Sequence, residues 1–474
     1  MMTLDEFQKF AHQLVDWMVD YYRNIEHFPV KSQVEPGEIL NQLPQEAPEK
    51  AEDFSTVFED FKQIILPGMT HWQSPNFFAY FPANASYPSL LAEMLTATLA
   101  AQCMIWETSP AATELEERVM DWLKKAMGLP PQWEGVIQDT ASTSTLVALL
   151  TARERYSEFS ANERGMAPFA PLRVYCSTET HSSIEKAVML GGFGKENLVK
   201  VAVDEQLRLD PSALEKAIER DLKAGKKPLA VVATLGTTGT TAIDPLKPIA
   251  AICARYALWL HVDAAFAGTA LLLPEYRWMI EGVEQVDSFV FNPHKWMFTH
   301  FDCSAYYVKD RQALLRTMSV LPEYLKTSTR GRVKEYRDWG IQLGRRFRAL
   351  KLWFVLRSFG LEGIRQILRN HLQWAAGLEE EIKGQNDFEM MAPRTLNLVC
   401  FRYHPPAVSD EQKLDEINQA LLQRLNASGR LFLTHTRVQG KYTLRMVTGQ
   451  TYLQKKHVQQ AWQFIKQTAR EMTL

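Results

Sequence analysis

The sequence predicts an α/β protein: a large domain built on a mainly parallel sheet, an N-terminal helical arm, and a small α+β domain at the C-terminus. Three observations predict it. Between about residues 88 and 360 short β-rich runs alternate with helical stretches, the pattern of a parallel sheet with right-handed crossovers. The tail beyond residue 361 changes to helices with a few strands. The 474 residues exceed what one hydrophobic core usually organises. The expected divisions are 1–87, 88–360 and 361–474.

Taken in order, the arm opens with apolar residues at helical spacing, Leu4, Phe7, Ala11, Leu14, Val15, Met18 and Tyr22. Thr3 with Glu6 three positions later forms a capping box. Pro29, Pro36, Pro44 and Pro48 then break regular structure in an exposed crossing segment. A helix joined by such a crossing packs either on a partner subunit or on its own chain, and the pattern alone supports both. In the large domain the β-rich runs are Arg173–Ser177, Leu229–Leu235, Leu258–Asp263, Ser288–Asn292 and Ser304–Val308. Ligands gather at the carboxyl ends of parallel strands, which puts Thr234–Thr241, Asp263–Gly268 and Asn292–Lys295 on one rim. The tail strands are Leu396–Tyr403 and Tyr442–Val447.

Bulk properties narrow the function. Apolar residues at 46% and charged residues at 23% describe a globular chain, and a net charge of -2 removes any global attraction to nucleic acid or anionic lipid. A small-molecule partner is favoured. The five cysteines are scattered with no CxxC pair and no His/Cys cluster at zinc spacing, so no metal is expected and the thiols read as reduced in a cytoplasmic protein. Asp5, Glu6 and Asp16 interrupt the apolar start, unlike a signal peptide, and no run is long enough to span a membrane.

Three segments carry candidate chemistry. Asp139-Thr140-Ala141-Ser142-Thr143-Ser144 precedes a helical run. Backbone N–H groups, hydroxyls and the positive helix end together make a phosphate cradle, although a hydroxyl-rich cap without a ligand has the same pattern. Leu258–Phe266 is a strand that delivers Asp263 to the rim, where its carboxylate either pairs with a protonated ring nitrogen or caps the next element. In Asn292-Pro293-His294-Lys295-Trp296 the lysine follows a strand in crowded, partly apolar surroundings. Such surroundings disfavour the ammonium and make an amine nucleophile for an aldehyde, the alternative being a surface lysine in a turn. Cradle, Asp and Lys on one rim are what a phosphate-bearing pyridine cofactor requires.

At this point the chain resembles the group II pyridoxal 5'-phosphate (PLP) decarboxylases, most nearly the aromatic-L-amino-acid decarboxylase branch (DOPA, tyrosine and tryptophan decarboxylases). The likeness runs through SPNFFAYFPANASY (Ser74–Tyr87), TSPAATELE (Thr108–Glu116), Gly135–Leu150, THSSIE (Thr180–Glu185), ATLGTT (Ala233–Thr238), HVDAAFAG (His261–Gly268), FNPHKW (Phe291–Trp296) and GRRFRALKLW (Gly344–Trp353). It implies fold type I of PLP enzymes, a homodimer with active sites shared between subunits, and decarboxylation of Tyr, DOPA, Trp, 5-hydroxytryptophan or Phe to the amine. It implies that Lys295 holds PLP as a Schiff base and that Asp263 partners the pyridine nitrogen. Thr140, Ala141 and Ser142 would hold the phosphate with Asn292 and His294 nearby, Thr238 would help fix the ring, and His181 would stack on it and contact substrate. Leu321–Lys326 and its continuation to Trp339 read as a mobile loop. The resemblance makes Tyr324 on that loop the proton donor; members that form aldehydes typically carry Phe there.

The substrate wall is expected from Trp72, Tyr80, Phe81 and Ala83, with Gln102 and Met104 on the side contributed by the partner. Two positions depart from the familiar animal enzymes. Asp139 stands where a small residue, usually Gly, opens the cradle, and a carboxylate beside a phosphate is repulsive unless it points away or caps the helix. Ala83 replaces a Thr that contacts substrate in those relatives. Arg445 is a candidate for a carboxylate contact or, preferentially, a structural ion pair.

Overall fold

The computed structural model describes residues 2–169, 171–320 and 331–472. The chain divides into two compact units, one of Ala83–Ala376 and Ala392–Val399, the other of Met1–Pro82, Gly377–Met391 and Cys400–Leu474. Each holds a sheet.

The larger unit is organised by seven strands, β1 (Glu134–Gln138), β2 (Leu172–Ser177), β3 (Leu198–Val201), β4 (Lys227–Thr234), β5 (Trp259–Asp263), β6 (Ser288–Phe291) and β7 (Ser304–Val308). Their spatial order is β1-β7-β6-β5-β4-β2-β3. The pairings β3·β2, β2·β4, β4·β5 and β5·β6 are parallel, whereas β7 runs antiparallel to both β6 and β1. Two reversals cancel, so β1 points the same way as β6. The carboxyl ends of all strands except β7 therefore share one rim.

The strands are buried on both faces, as the Val-, Ala- and Leu-rich β4 and β5 require. Helix Ala141–Tyr156 packs over the sheet and joins a core with Val136, Val174, Val232, Val290 and Tyr306. Gly236, in the turn after β4, has φ +85°, and a Cβ there would meet the Ala267 Cβ at 2.7 Å. Only glycine lets this turn close against the segment that follows Asp263.

The smaller unit carries β8 (Phe388–Met390), β9 (Leu398–Tyr403), β10 (Thr434–Val438) and β11 (Lys441–Val447) in the order β10-β11-β9-β8. Its first helix, Leu4–Arg23, has the anticipated capping box, with the Glu6 N–H donating to Thr3 Oγ1 at 3.2 Å and the Thr3 N–H to Glu6 Oε2 at 2.8 Å. Phe10 packs on Phe54 and Trp17 on Phe58 and Phe61, so one face of this helix packs within its own unit. Leu4, Phe7, Val15 and Val19 stay exposed on it.

Candidate active site

Asp263 sits at the centre of the rim because its strand does. It is the last residue of β5, in register with Thr234 of β4 on one side and Val290 of β6 on the other. Its carbonyl accepts the Leu235 N–H at 2.9 Å, and its carboxylate Oδ1 accepts the Ala265 N–H at 3.0 Å. The side chain is buried, 5% exposed. A carboxylate held this way keeps acceptor capacity for a further donor from the rim.

Lys295 lies in a four-residue helix, Pro293–Trp296, and not in an open turn. Pro at the first helical position supplies the fixed φ that starts such a helix. The backbone of that helix is braced from outside: the Asn84 N–H donates to the His294 carbonyl at 2.9 Å, and the Asn84 amide donates to the Lys295 carbonyl. Trp296 stacks on Phe266, with ring centroids 5.0 Å apart, and its indole N–H donates to His371 Nδ1 at 3.0 Å. Lys295 itself is partly buried. Loss of solvation lowers its amine below the ordinary lysine range, and the Asp263 charge acts in the opposite sense. Both Lys295 and Asp263 also act on the imidazole of His181, so the three side chains share one electrostatic neighbourhood.

His181 does two things at once. It is the N-cap of helix Ser182–Leu190, and its Nδ1 accepts the Ser183 N–H at 3.1 Å. Because Nδ1 is the acceptor, the neutral ring carries its proton on Nε2. Although the residue is exposed, enough protein surrounds the ring for burial, and secondarily the Lys295 charge, to hold its pKa below the usual histidine value. The ring is neutral at neutral pH.

The neighbours of Lys295 are buried and internally matched. Asn292 Oδ1 accepts the Ser304 hydroxyl at 2.7 Å, and His294 Nδ1 accepts the Cys303 N–H at 2.9 Å. Burial pushes the His294 pKa down to about 3. It too is a neutral imidazole whose proton is on Nε2. Thr238 is exposed in the turn after β4. That turn is closed by Gly236 and Thr237 N–H bonds to the Ala242 carbonyl, and its base by Asp244, whose carboxylate accepts the Thr234 N–H at 2.7 Å and the Leu209 N–H at 2.8 Å.

Across the rim, β1 delivers Asp139 and Thr140 to the start of helix Ala141–Tyr156. Thr140 is the N-cap, its Oγ1 accepting the Thr143 N–H at 3.4 Å. The N–H groups of Ala141 and Ser142, at the first two helical positions, have no carbonyl within the helix to bond. Ser142 is exposed. Helix end, hydroxyls and orphan donors suit a phosphate.

The donor set fits pyridoxal phosphate on these grounds: phosphate donors, a carboxylate for a ring nitrogen, and an amine of lowered basicity for an aldehyde. One buried orphan agrees. Thr234 Oγ1, next to Asp263 in register, has no hydrogen-bond partner among the described residues.

Other expected residues are placed less closely. In the smaller unit Trp72 stacks between Phe77 and Tyr80 at 4.5 and 5.9 Å, and Trp72 and Tyr80 are exposed. Phe81 lies against the Arg445 guanidinium at 5.5 Å, and Arg445 donates to Thr434 Oγ1 at 2.8 Å, so the structure gives this arginine an aromatic and a hydroxyl contact. In the larger unit Ala83 is half-buried, Gln102 Oε1 accepts the Arg345 N–H at 2.7 Å, and the Met104 carbonyl accepts the Arg337 N–H at 3.0 Å. Tyr324 lies outside the described residues. Sequence reasoning passed over Asn84, Asp244 and Ser304. Asn84 was within reach, since a lone amide among small residues after Pro82 is a natural partner for backbone groups.

Comparison with known proteins agrees with this geometry. Residues 36–404 match the model of the pyridoxal-dependent decarboxylase conserved domain. The chain is 43% identical to tyrosine decarboxylase 2 of Narcissus pseudonarcissus, over 99% of this chain and 95% of that one. It is also 43% identical to phenylacetaldehyde synthase of Arabidopsis thaliana, over 99% and 96%. Among solved structures, Oryza sativa TDC with PLP and tryptamine superposes with a TM-score of 0.96 at 37% identity, covering 99% of both chains.

Proposed function

The chain belongs to the pyridoxal-dependent decarboxylases of aromatic amino acids, and we propose that it releases CO2 from Tyr, DOPA, Trp, 5-hydroxytryptophan or Phe and delivers the corresponding amine. The observation that carries the choice of product is Tyr324. A phenol at that position returns a proton to Cα, and relatives that make aldehydes typically have Phe. The opposite reading, aldehyde as product, is favoured by the equal identity to phenylacetaldehyde synthase.

Bound PLP supplies an aldehyde for the substrate amine and a ring that withdraws the electrons left by the departing carboxylate. The protein's own groups do the rest. Lys295, with its amine made less basic, is the residue that would hold the cofactor through its aldehyde. Asp263 would keep the ring nitrogen protonated through a charge-assisted contact that a buried site strengthens. His181, its Nδ1 taken by the Ser183 N–H, would stack its neutral ring on the cofactor with Nε2–H as the remaining donor. Thr140, Ala141 and Ser142 would hold the phosphate, with Asn292 and His294 nearby, and Thr238 would help fix the ring. The resemblance assigns the wall for an aromatic side chain to Trp72, Tyr80, Phe81 and Ala83, with Gln102 and Met104 on the side contributed by the partner. The exposed Leu4, Phe7, Val15 and Val19 of the first helix support a homodimer in which that face is covered.

The test is product identification. Purified protein with PLP is given L-Tyr, L-DOPA, L-Trp, L-Phe and L-Glu separately, with Lys295→Ala as blank, and products are read by mass spectrometry. Amine from an aromatic substrate is expected, and Tyr324→Phe diverts it to aldehyde. Aldehyde from the wild type, or unchanged amine from Tyr324→Phe, overturns the proton-donor role; amine from Glu alone overturns the aromatic wall.

A further inference from the structure

We propose that Asp139 is a built-in competitor of the cofactor phosphate: it satisfies the positive end of the cradle helix before phosphate arrives and weakens phosphate binding afterwards. The inference rests on the reading of Thr140, Ala141 and Ser142 as the phosphate site. Asp139 is the residue immediately before the N-cap, and its Oδ1 accepts the Thr140 N–H at 2.7 Å. One of the few backbone donors at this helix end is therefore already bound to an anion. Its other oxygen, Oδ2, accepts the Gln342 side-chain amide at 3.1 Å, so the carboxylate is held where it is by a neutral group.

The cations nearby offset this charge only in part. Arg345 and Arg348 line the same small cavity as Asp139, Thr143 and Gln342. Arg345 is committed to Glu116 at 2.7 Å, and Arg348 to Asp302 at 2.7 Å. The charge of Asp139 reaches Arg348 only as a lesser influence after that of Asp302. Two acids thus face Arg348, and a dianionic phosphate arriving at the helix end adds to the excess.

The helix end without phosphate gains from a carboxylate, since negative charge there complements the helix dipole. The same carboxylate is in the way once a dianion binds. One charge beside a dianion in a water-accessible site is worth roughly tenfold in affinity, and salt reduces it. Asp139 and Thr140 are only partly buried and Ser142 is exposed, so the water-like end of the range applies. Asp139→Asn keeps the shape and one acceptor for the Thr140 N–H while removing the charge.

The experiment is an equilibrium titration of the apoprotein with PLP and, separately, with pyridoxal, followed by absorbance, at low and high salt. The wild type is compared with Asp139→Asn and Ser142→Ala. Asp139→Asn is expected to bind PLP roughly tenfold tighter at low salt, with pyridoxal affinity unchanged and the apoprotein melting slightly earlier. Unchanged or weaker PLP binding overturns the proposal, as does an equal gain for pyridoxal, which would place the effect away from the phosphate. Ser142→Ala is expected to lower the preference for PLP over pyridoxal. If it leaves that preference intact, the phosphate site has been misplaced and the inference falls with it; a normal Ser142→Ala response with a silent Asp139→Asn sinks the inference alone.

Discussion

The rim that carries Asp263 and Lys295 and the helix end that carries Thr140 and Ser142 lie in the same unit but are built by opposite means. At the rim each side chain issues from backbone fixed on two sides. Asp263 is paired in register with two neighbouring strands, and the helix of Lys295 is braced by Asn84 and by the Phe266–Trp296–His371 stack. At the helix end the groups face solvent, the cap bond is a long 3.4 Å, and a carboxylate stands beside it. Bond breaking demands geometry held to a fraction of an ångström, whereas a phosphate handle tolerates movement. On the proposed function, the contrast is between a fixed chemical end and an adjustable anchoring end.

If that contrast is right, the largest losses come from the rim. Lys295→Ala should reduce turnover by roughly 10^3-fold or more, because among the described residues Lys295 is the lysine whose amine is made less basic. Single-turnover kinetics with saturating PLP would check it, and substantial residual turnover would remove Lys295 from the reaction. Asp263→Asn should lower kcat by about 10^2-fold to 10^3-fold with a smaller change in KM, the signature of a charge felt mainly in the transition state. A pure KM effect would turn Asp263 into a binding group only.

Asn84 tests the brace. It is 1% exposed; its backbone N–H bond to the His294 carbonyl survives Asn84→Ala, but the side-chain amide that the Lys295 carbonyl accepts is lost. A loss of about 1–3 kcal/mol in stability is expected, read as an earlier unfolding midpoint in urea together with a fall in kcat. Stability that drops while kcat holds would show that Lys295 does not depend on this support.

How much of this was legible in the sequence follows the same division. The rim was legible because it is local: a strand ending in Asp263, another followed by Pro293 and Lys295, each readable from its own run of residues. The runs expected at Arg173–Ser177, Leu229–Leu235, Leu258–Asp263 and Ser304–Val308 appear as β2, β4, β5 and β7 within a few residues. The strands β1, β3, β8 and β10 were not anticipated. β3 and β8 are four and three residues long, too short for a period to register, and β10 alternates without a strong apolar face. That β7 is antiparallel was also invisible, since strand direction depends on partners and not on periodicity. Asn84 and Asp244 act on backbone far away in sequence, Asn84 across 211 residues to Lys295, a kind of contact that no window of residues displays.

The smallest predicted effect separates the rim's support from its chemistry. His261 lies on β5, two residues before Asp263, wholly buried, with Nε2 against Thr145 Oγ1 at 3.3 Å and Nδ1 against Ser288 Oγ at 2.9 Å. It ties the first turns of the cradle helix to the strand of Asp263. Burial lowers its pKa to about 4 despite the Asp263 charge, so the folded chain keeps it neutral where the unfolded chain protonates it. A lowered folded pKa means stability that is complete above the unfolded value, about 6.5, and lost as pH falls toward the folded value. His294 and His371, each lowered to about 3, act in the same sense. Asp244, raised to about 7 by burial, acts in the other, contributing stability at low pH that is lost as pH rises through 7. The total slope mixes these groups, but the difference between wild type and His261→Gln isolates one of them. Between pH 7 and pH 5.5 the wild-type apoprotein should lose about 1 kcal/mol more than the variant does, whatever their absolute stabilities. Urea unfolding at the two pH values measures it. Equal losses would mean that His261 takes up a proton as readily in the folded chain as in the unfolded one, so that burial does not hold it neutral.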